Sequence, residues 1–237
     1  MQYRSQYGQD RFIDAQVFRG MRDGTFVEIG ADDGVSGSNT LFFEAERGWN
    51  GVCIEPRREA FEKLRSNRSC ACENACISDS SGDREFLEVA GDARQLSGLV
   101  ESYDPRHLER IRREASSART ISTRCMTLAE ALSKHGIGDV DYLSVDTEGS
   151  ELEILESIDF SRTKIRCISV ENNYHDPRIK KLLASKGYRL LTRIKIDEIY
   201  ALVGSGADRY REPLEVKLHA SISGIKRLLR PLIRRTR

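Results

Sequence analysis

With 237 residues, 39% of them hydrophobic, the chain can bury a large core, and one α/β domain is the expectation. Its net charge of +1 leaves no global basic field for nucleic acid, and no apolar stretch approaches the ~18 residues of a membrane-spanning helix. The charge is unevenly placed: residues 213–237 carry Lys217, Lys226, Arg227, Arg230, Arg234, Arg235 and Arg237 against Glu215, behind an acidic body (1–212) of net −5.

The start, "MQYRSQYGQDRF", has no apolar signal region. Residues Thr25 to Ile29 are mostly β-branched or aromatic and predict a buried strand. Gly30, Asp32, Asp33 and Gly34 follow, and from Ser38 the pattern turns helical, which makes a strand–turn–helix opening of a Rossmann-like unit. Gly30, Gly34 and Gly37 lack the dinucleotide spacing, and two aspartates would repel a pyrophosphate. A ligand without phosphates, carrying an amino group and ribose hydroxyls, suits this loop; S-adenosylmethionine meets that description. An ordinary structural turn is the other reading.

"SNTLFFEAERG" predicts a short helix closed by Gly48, and "GVCIEP" a second strand ending in Glu55 and stopped by Pro56. "REAFEKLRSN" is an amphipathic helix with Ala60, Phe61 and Leu64 on one face. "CACENACIS" reads as a third strand; its cysteines lack a second ligand pair or a nearby histidine, so buried reduced thiols are expected rather than zinc ligands. "DSSGDREFLEV" reads as a turn and a strand. Residues 90–124 break the rhythm, with a helix from Pro105 to Ala115; they are either a solvated surface helix or a substrate cover. "MTLAEALSKHGIGDV" resumes a helix before a strand, Tyr142 to Val145, that ends in Asp146. The next helix opens with Ser150 and Glu153 in capping-box spacing. "IRCISVENNYHDP" is a strand ending in Glu171, Asn172 and Asn173, and a hairpin around Lys195–Asp197 closes the series. The alternation predicts a parallel sheet covered by helices on both faces.

Ligands of such sheets bind beyond the carboxyl ends of the strands. Four acids fall there: Glu28, Glu55, Asp146 and Glu171. Glu55 lies near the offset at which an acid meets ribose hydroxyls. Glu28 and Asp32 suit an ammonium group, and Asp146 with Glu171 and Asn172 would offer oxygens to Mg²⁺. Each acid, taken singly, also reads as a solvated carboxylate.

In "SQYGQDRFI", "FVEIGADDGVSGSNT", "GVCIEP", "ENACISDSSGDREF", "DYLSVDTEGSELEIL" and "VENN", in that order over residues 5–203, the chain resembles the FkbM-type family of S-adenosylmethionine-dependent methyltransferases. The resemblance implies the class I methyltransferase fold, with seven strands and the last antiparallel, and O-methylation of a sugar, glycan or natural-product hydroxyl. It implies that Glu28, Gly30, Ala31, Asp32 and Gly34 cradle the methionine part and that Glu55 meets the ribose, with Asn39 and Pro56 among the cofactor-binding residues. The segment from Asn74 and Ala75 to Ser78 would border the adenine, and Gln9 and Asp10 would close over the cofactor. Ser144 departs from the lysine that many family members place two residues before the aspartate. The acid, acid and asparagine also resemble the metal site of catechol O-methyltransferases, with Mg²⁺ holding the substrate oxygen near Asp146. Glu148 is the first candidate base and His175 the second.

No Asp/Asn-Pro-Pro-Tyr element and no Pro-Cys dipeptide is present, so amino-group methylation of bases and cytosine C5 methylation are argued down. The rivals are a non-catalytic adaptor at a membrane and a protein side-chain methyltransferase. In the tail, Ile222, Ile225, Leu228, Leu229 and Leu232 share one helical face, which reads either as a docking helix or as a peripheral contact with anionic lipid at the inner membrane surface. The expected location is cytoplasmic, and the oligomeric state stays open.

Overall fold

The computed structural model describes residues 2–210, so the basic tail and both readings of it lie outside the described residues. The chain opens with α1 (Gln9–Phe12), which continues as a π-helical segment, Ile13–Phe18. Then come β1 (Thr25–Ile29), α2 (Leu41–Arg47), β2 (Asn50–Ile54), α3 (Arg58–Asn67) and β3 (Ala71–Glu73). A second group holds β4 (Cys76–Ile77), β5 (Gly82–Ala90), β6 (Gly98–Leu99), α4 (Pro105–Glu114) and β7 (Ser117–Met126). The rest are α5 (Leu128–Lys134), β8 (Val140–Val145), α6 (Glu151–Ser157), β9 (Ile165–Glu171), α7 (Pro177–Ser185), β10 (Tyr188–Ile194) and β11 (Asp197–Leu202).

Seven strands form one sheet in the order β10-β11-β9-β8-β1-β2-β3. Strand β11 runs antiparallel to both neighbours, and the other pairs are parallel. The predicted terminal hairpin is β10–β11. The central strands read as apolar runs because both of their faces are covered. Val27, Ile29, Val52, Ile54, Leu143 and Val145 join one core cluster, whereas Phe26, Cys53, Tyr142 and Cys167 join another, as the two-residue strand period requires. Each fully buried large side chain contributes about 1.5–3 kcal/mol.

Three expectations change. "CACENACIS" is two strands in two sheets: β3 pairs with β2, and β4 pairs with β7. Residues 90–124 do not merely bear a helix. Strands β5 and β7 pair along their length, from Gly82↔Cys125 to Ala90↔Ser117, inside a four-stranded sheet ordered β4-β7-β5-β6, and α4 lies between them. Ser150 precedes α6 without a side-chain cap; the capping box is at Thr127 and Glu130, at the start of α5. Glu153 instead accepts from Ser78 Oγ at 2.7 Å and Ser102 Oγ at 3.1 Å, which ties α6 to the second sheet. All six cysteines are free thiols. Among the described residues, no helix is long and apolar enough to cross a membrane.

Candidate functional site

The carboxyl ends of β8, β1 and β2 open onto a cavity of about 410 Å³. Its floor is the turn after β1. The Gly30 and Ala31 amides donate to Ile54 O at 3.0 and 3.1 Å, and Gly30 has φ 84°. A Cβ at residue 30 would lie 1.7 Å from the Asp146 carbonyl oxygen, so only glycine lets β1 and β8 approach this closely. At the β2 end the Asp32 amide donates to Glu55 Oε2 at 2.9 Å. Arg57 bridges the two acids, Nη2 to Asp32 Oδ1 at 2.7 Å and Nε to Glu55 Oε1 at 3.0 Å. Burial pushes the Glu55 carboxyl up, and Arg57 opposes that shift.

Glu28 lines the cavity, but its carboxylate is already engaged. It accepts from Ser38 Oγ, the Asn39 amide, Thr40 Oγ1 and Arg68 Nη1. It thereby clamps the loop 38–40. Arg68, with a side chain 0% exposed, also pairs with Glu44. Gly34 sits outside the lining, where a Cβ would meet Leu64 and Arg68. Ala31, Asp32, Asn39, Glu55, Pro56 and Ala75 do line the cavity.

Four more expected cofactor residues do not line this cavity. Gln9 Nε2 donates to Asp197 Oδ2 at 2.7 Å, and Asp10 accepts from the backbone amides of Arg4 and Ser5. Neither lines the cavity; Asp10 holds Ser5, which bridges to Gly37, and Gln6 beside it is in the cavity wall. Asn74 Nδ2 donates to the Glu55 and Pro56 carbonyls, and Ser78 bonds Glu153, so the lining of this segment is Ala75, Cys76 and Ile77.

Beyond β8 and β9, Asp146, Glu148 and Glu171 bring one carboxylate oxygen each to within 4.8 Å of one another, the one group with metal-ligand spacing among the described residues. Asn172 does not join them: its Nδ2 donates to Asp176 O and its Oδ1 accepts the Asp176 amide. Asn173 takes that position, donating to Glu171 Oε2 at 2.7 Å and Glu148 Oε2 at 3.2 Å. The turn that presents Glu148 is fixed from below. Glu148 has φ 60°, and Glu151 Oε1 accepts from the Thr147 amide and hydroxyl and from the Gly149 amide, each at 3.0 Å. Burial, then the Glu151 charge, pushes the Glu148 carboxyl up to about 8. Asp146 and Glu171 are also held well above the carboxylate range, by burial first and the neighbouring acids second.

A second cavity, of about 510 Å³, lies against the first and shares Glu148 and Glu171 with it. Tyr103, Arg106 and His107 from the 90–124 segment line it opposite Tyr174, His175 and Arg178. His175 is exposed, whereas His107 is buried, with Nδ1 3.8 Å from Glu148 Oε2 and its ring stacked on Tyr103. Burial lowers the His107 pKa, which favours the neutral ring. The sequence carried one signal for this cavity. Asp-Pro-Arg occurs at 104–106 and at 176–178, and each copy starts a helix, the aspartate accepting from the arginine amide at 2.8 and 2.9 Å. Both starts face the second cavity.

Strand order, the antiparallel β11 and a ligand cavity at the carboxyl ends of the central strands define a class I methyltransferase fold. The chain belongs to the methyltransferase FkbM domain family, whose model matches residues 28–190. No curated protein matches it significantly. Among solved structures it is similar to a methyltransferase FkbM from Methylobacillus flagellatus, at 12% identity and TM-score 0.43, over 80% of this chain and 47% of that one. It thus spans about half the length of that protein. It is also similar to a TehB-like SAM-dependent methyltransferase from Corynebacterium glutamicum (12% identity, 84% of this chain and 89% of that one, TM-score 0.42). A precorrin-6y C5,15-methyltransferase from Geobacter metallireducens gives 13%, 81% and 87%, and 0.42.

Proposed function

We propose that the chain is an S-adenosylmethionine-dependent O-methyltransferase acting on a hydroxyl of a sugar, glycan or other small molecule. The observation that carries this reading is the meeting of two cavities at Glu148 and Glu171. The first cavity suits the cofactor: it offers Glu55 for ribose hydroxyls, apolar Ala75 and Ile77 beyond it, and a buried acceptor, Asn39 Oδ1, that has no partner. When bound there, S-adenosylmethionine supplies a methyl group on a sulfonium centre. The second cavity receives the acceptor, with Tyr103 and Tyr174 offering ring faces. Glu148, as its carboxylate, takes the hydroxyl proton at Oε2, and Asn173 keeps that oxygen oriented. The insertion supplies one wall and keeps water from the shared mouth, which is the substrate-covering role.

A divalent cation is the second reading, favoured by the spacing of Asp146, Glu148 and Glu171. In that case Asp146, Glu148 and Glu171, without Asn172, would hold the cation, which would supply a lowered pKa to the acceptor hydroxyl. The test is titration calorimetry with S-adenosylhomocysteine, followed by transfer of labelled methyl to a panel of hydroxylated acceptors with and without EDTA. Cofactor binding and label in a hydroxylated acceptor are the expected results. Transfer that survives exhaustive EDTA treatment removes the cation; no cofactor binding by folded protein removes the enzyme reading and favours an adaptor.

A further inference from the structure

Among the described residues, a single buried side-chain nitrogen or oxygen lacks a hydrogen-bond partner: Asn39 Oδ1. Asn39 is 5% exposed and lines the first cavity. Its Nδ2 donates to Ser144 Oγ at 3.0 Å. Ser144 Oγ accepts in turn from Ser169 Oγ at 3.4 Å, and Ser169 shares a hydrogen bond with the Tyr142 hydroxyl at 2.7 Å. With Nδ2 turned to Ser144, the amide carbonyl oxygen is left without a donor. An unmet buried acceptor is costly, so a ligand that brings a donor gains on binding.

The surroundings say which donor. The cations that line this cavity, Arg57 and Arg94, both sit at its Asp32–Glu55 end, against Asp32. The Asn39 end is lined by Glu28, Ser144, Asp146 and Glu171, and Arg68, behind Glu28 and outside the lining, is held by Glu28 and Glu44. Sheet order sets the direction: Glu55 ends β2 and Ala75–Ile77 lie beyond β3, whereas Ser144 is on β8. A ligand with its adenosine over β2 and β3 reaches Asn39 with its other end.

We propose that the Asn39 carbonyl oxygen, oriented by Ser144, receives the α-ammonium group of the cofactor. The inference rests on the S-adenosylmethionine reading above.

Titration calorimetry tests this with three probes: S-adenosylhomocysteine, its analogue with hydrogen in place of the α-amino group, and its decarboxylated analogue. Wild type should prefer S-adenosylhomocysteine to the deaminated analogue by about tenfold or more, the worth of a hydrogen bond to a charged group. Asn39→Ala should compress that ratio to within about twofold, Asn39→Asp should keep it, and Ser144→Ala should narrow it. Thermal melts of each variant confirm folding, and Asn39→Asp, nearly isosteric, keeps the test open if Asn39→Ala does not fold. Wild-type protein that binds S-adenosylhomocysteine and its deaminated analogue equally overturns this inference alone. So does a loss in Asn39→Ala that appears against the decarboxylated analogue instead. Folded wild type that binds none of the probes overturns the cofactor reading, and this inference with it.

Discussion

The two cavities are built in opposite ways. The charged wall of the first is largely paired before any ligand arrives: Glu28 accepts from Ser38, Asn39, Thr40 and Arg68, and Asp32 and Glu55 share Arg57, while Asn39 Oδ1 is left without a donor. The second is closed by two helix starts and two tyrosines, and its acids are uncomfortable, with Glu148 and Glu171 both held above the usual carboxylate range. On the proposed assignment, the cofactor meets the pre-paired wall and the acceptor meets the acids with raised pKa, where the proton must move.

The sharpest way to break the contrast is Gly30→Ala. A methyl group 1.7 Å from the Asp146 carbonyl, at φ 84°, should destabilise the chain by about 3 kcal/mol or more and abolish S-adenosylhomocysteine binding. Melting curves and calorimetry would read this; a soluble variant with intact binding would show the wall to be soft. Next, Glu148→Gln should lower kcat by roughly 10²–10⁴-fold and leave cofactor affinity within about twofold, because the loss belongs to proton transfer. Steady-state kinetics and calorimetry separate the two effects.

The acid cluster makes a stability prediction with a definite sign. Glu148 titrates at about 8 when folded, against an ordinary value of 4.5, so the folded state holds its proton longer. Its contribution is fully present below pH 4.5 and is lost as pH rises through 8. Between pH 5 and 9 the melting temperature should fall by roughly 5 °C in wild type and by less in Glu148→Gln. On the proposed role of Glu148 as a carboxylate base, raised activity over the same range would accompany that loss. The smallest effect is expected from Arg106→Ala. It removes a guanidinium 4.1 Å from the Tyr174 ring centre and should raise acceptor KM about fivefold with cofactor affinity unchanged.

How much of this was legible follows from which residues carry it. Strands β1, β2, β8 and β9 announced themselves as apolar runs, and α3 by its periodic face, because burial on both sides or on one leaves a pattern. Strand β7, "SARTISTRCM", left none: only Cys125 and Met126 are buried in it, and its partner β5 is the reason it is a strand. The acids at the strand ends were readable, since position at a strand end follows from the strand. Their partners were not. Arg68 reaches Glu28 from 40 positions away, and nothing local distinguishes it from the solvated arginines around it. At 172 and 173 two adjacent asparagines differ only in where the chain turns after β9, which decides that Asn173 meets the acids and Asn172 caps its own loop. His107 lay in a segment whose composition read as surface, yet it is 1% exposed.

The bridge between Ser5 and Gly37 places Gln6 in the wall of the first cavity, so the first residues of the described chain form part of that wall. The residence time of a tightly bound ligand should track how often residues 4–7 peel away, and hydrogen exchange at those amides should slow when the cavity is filled.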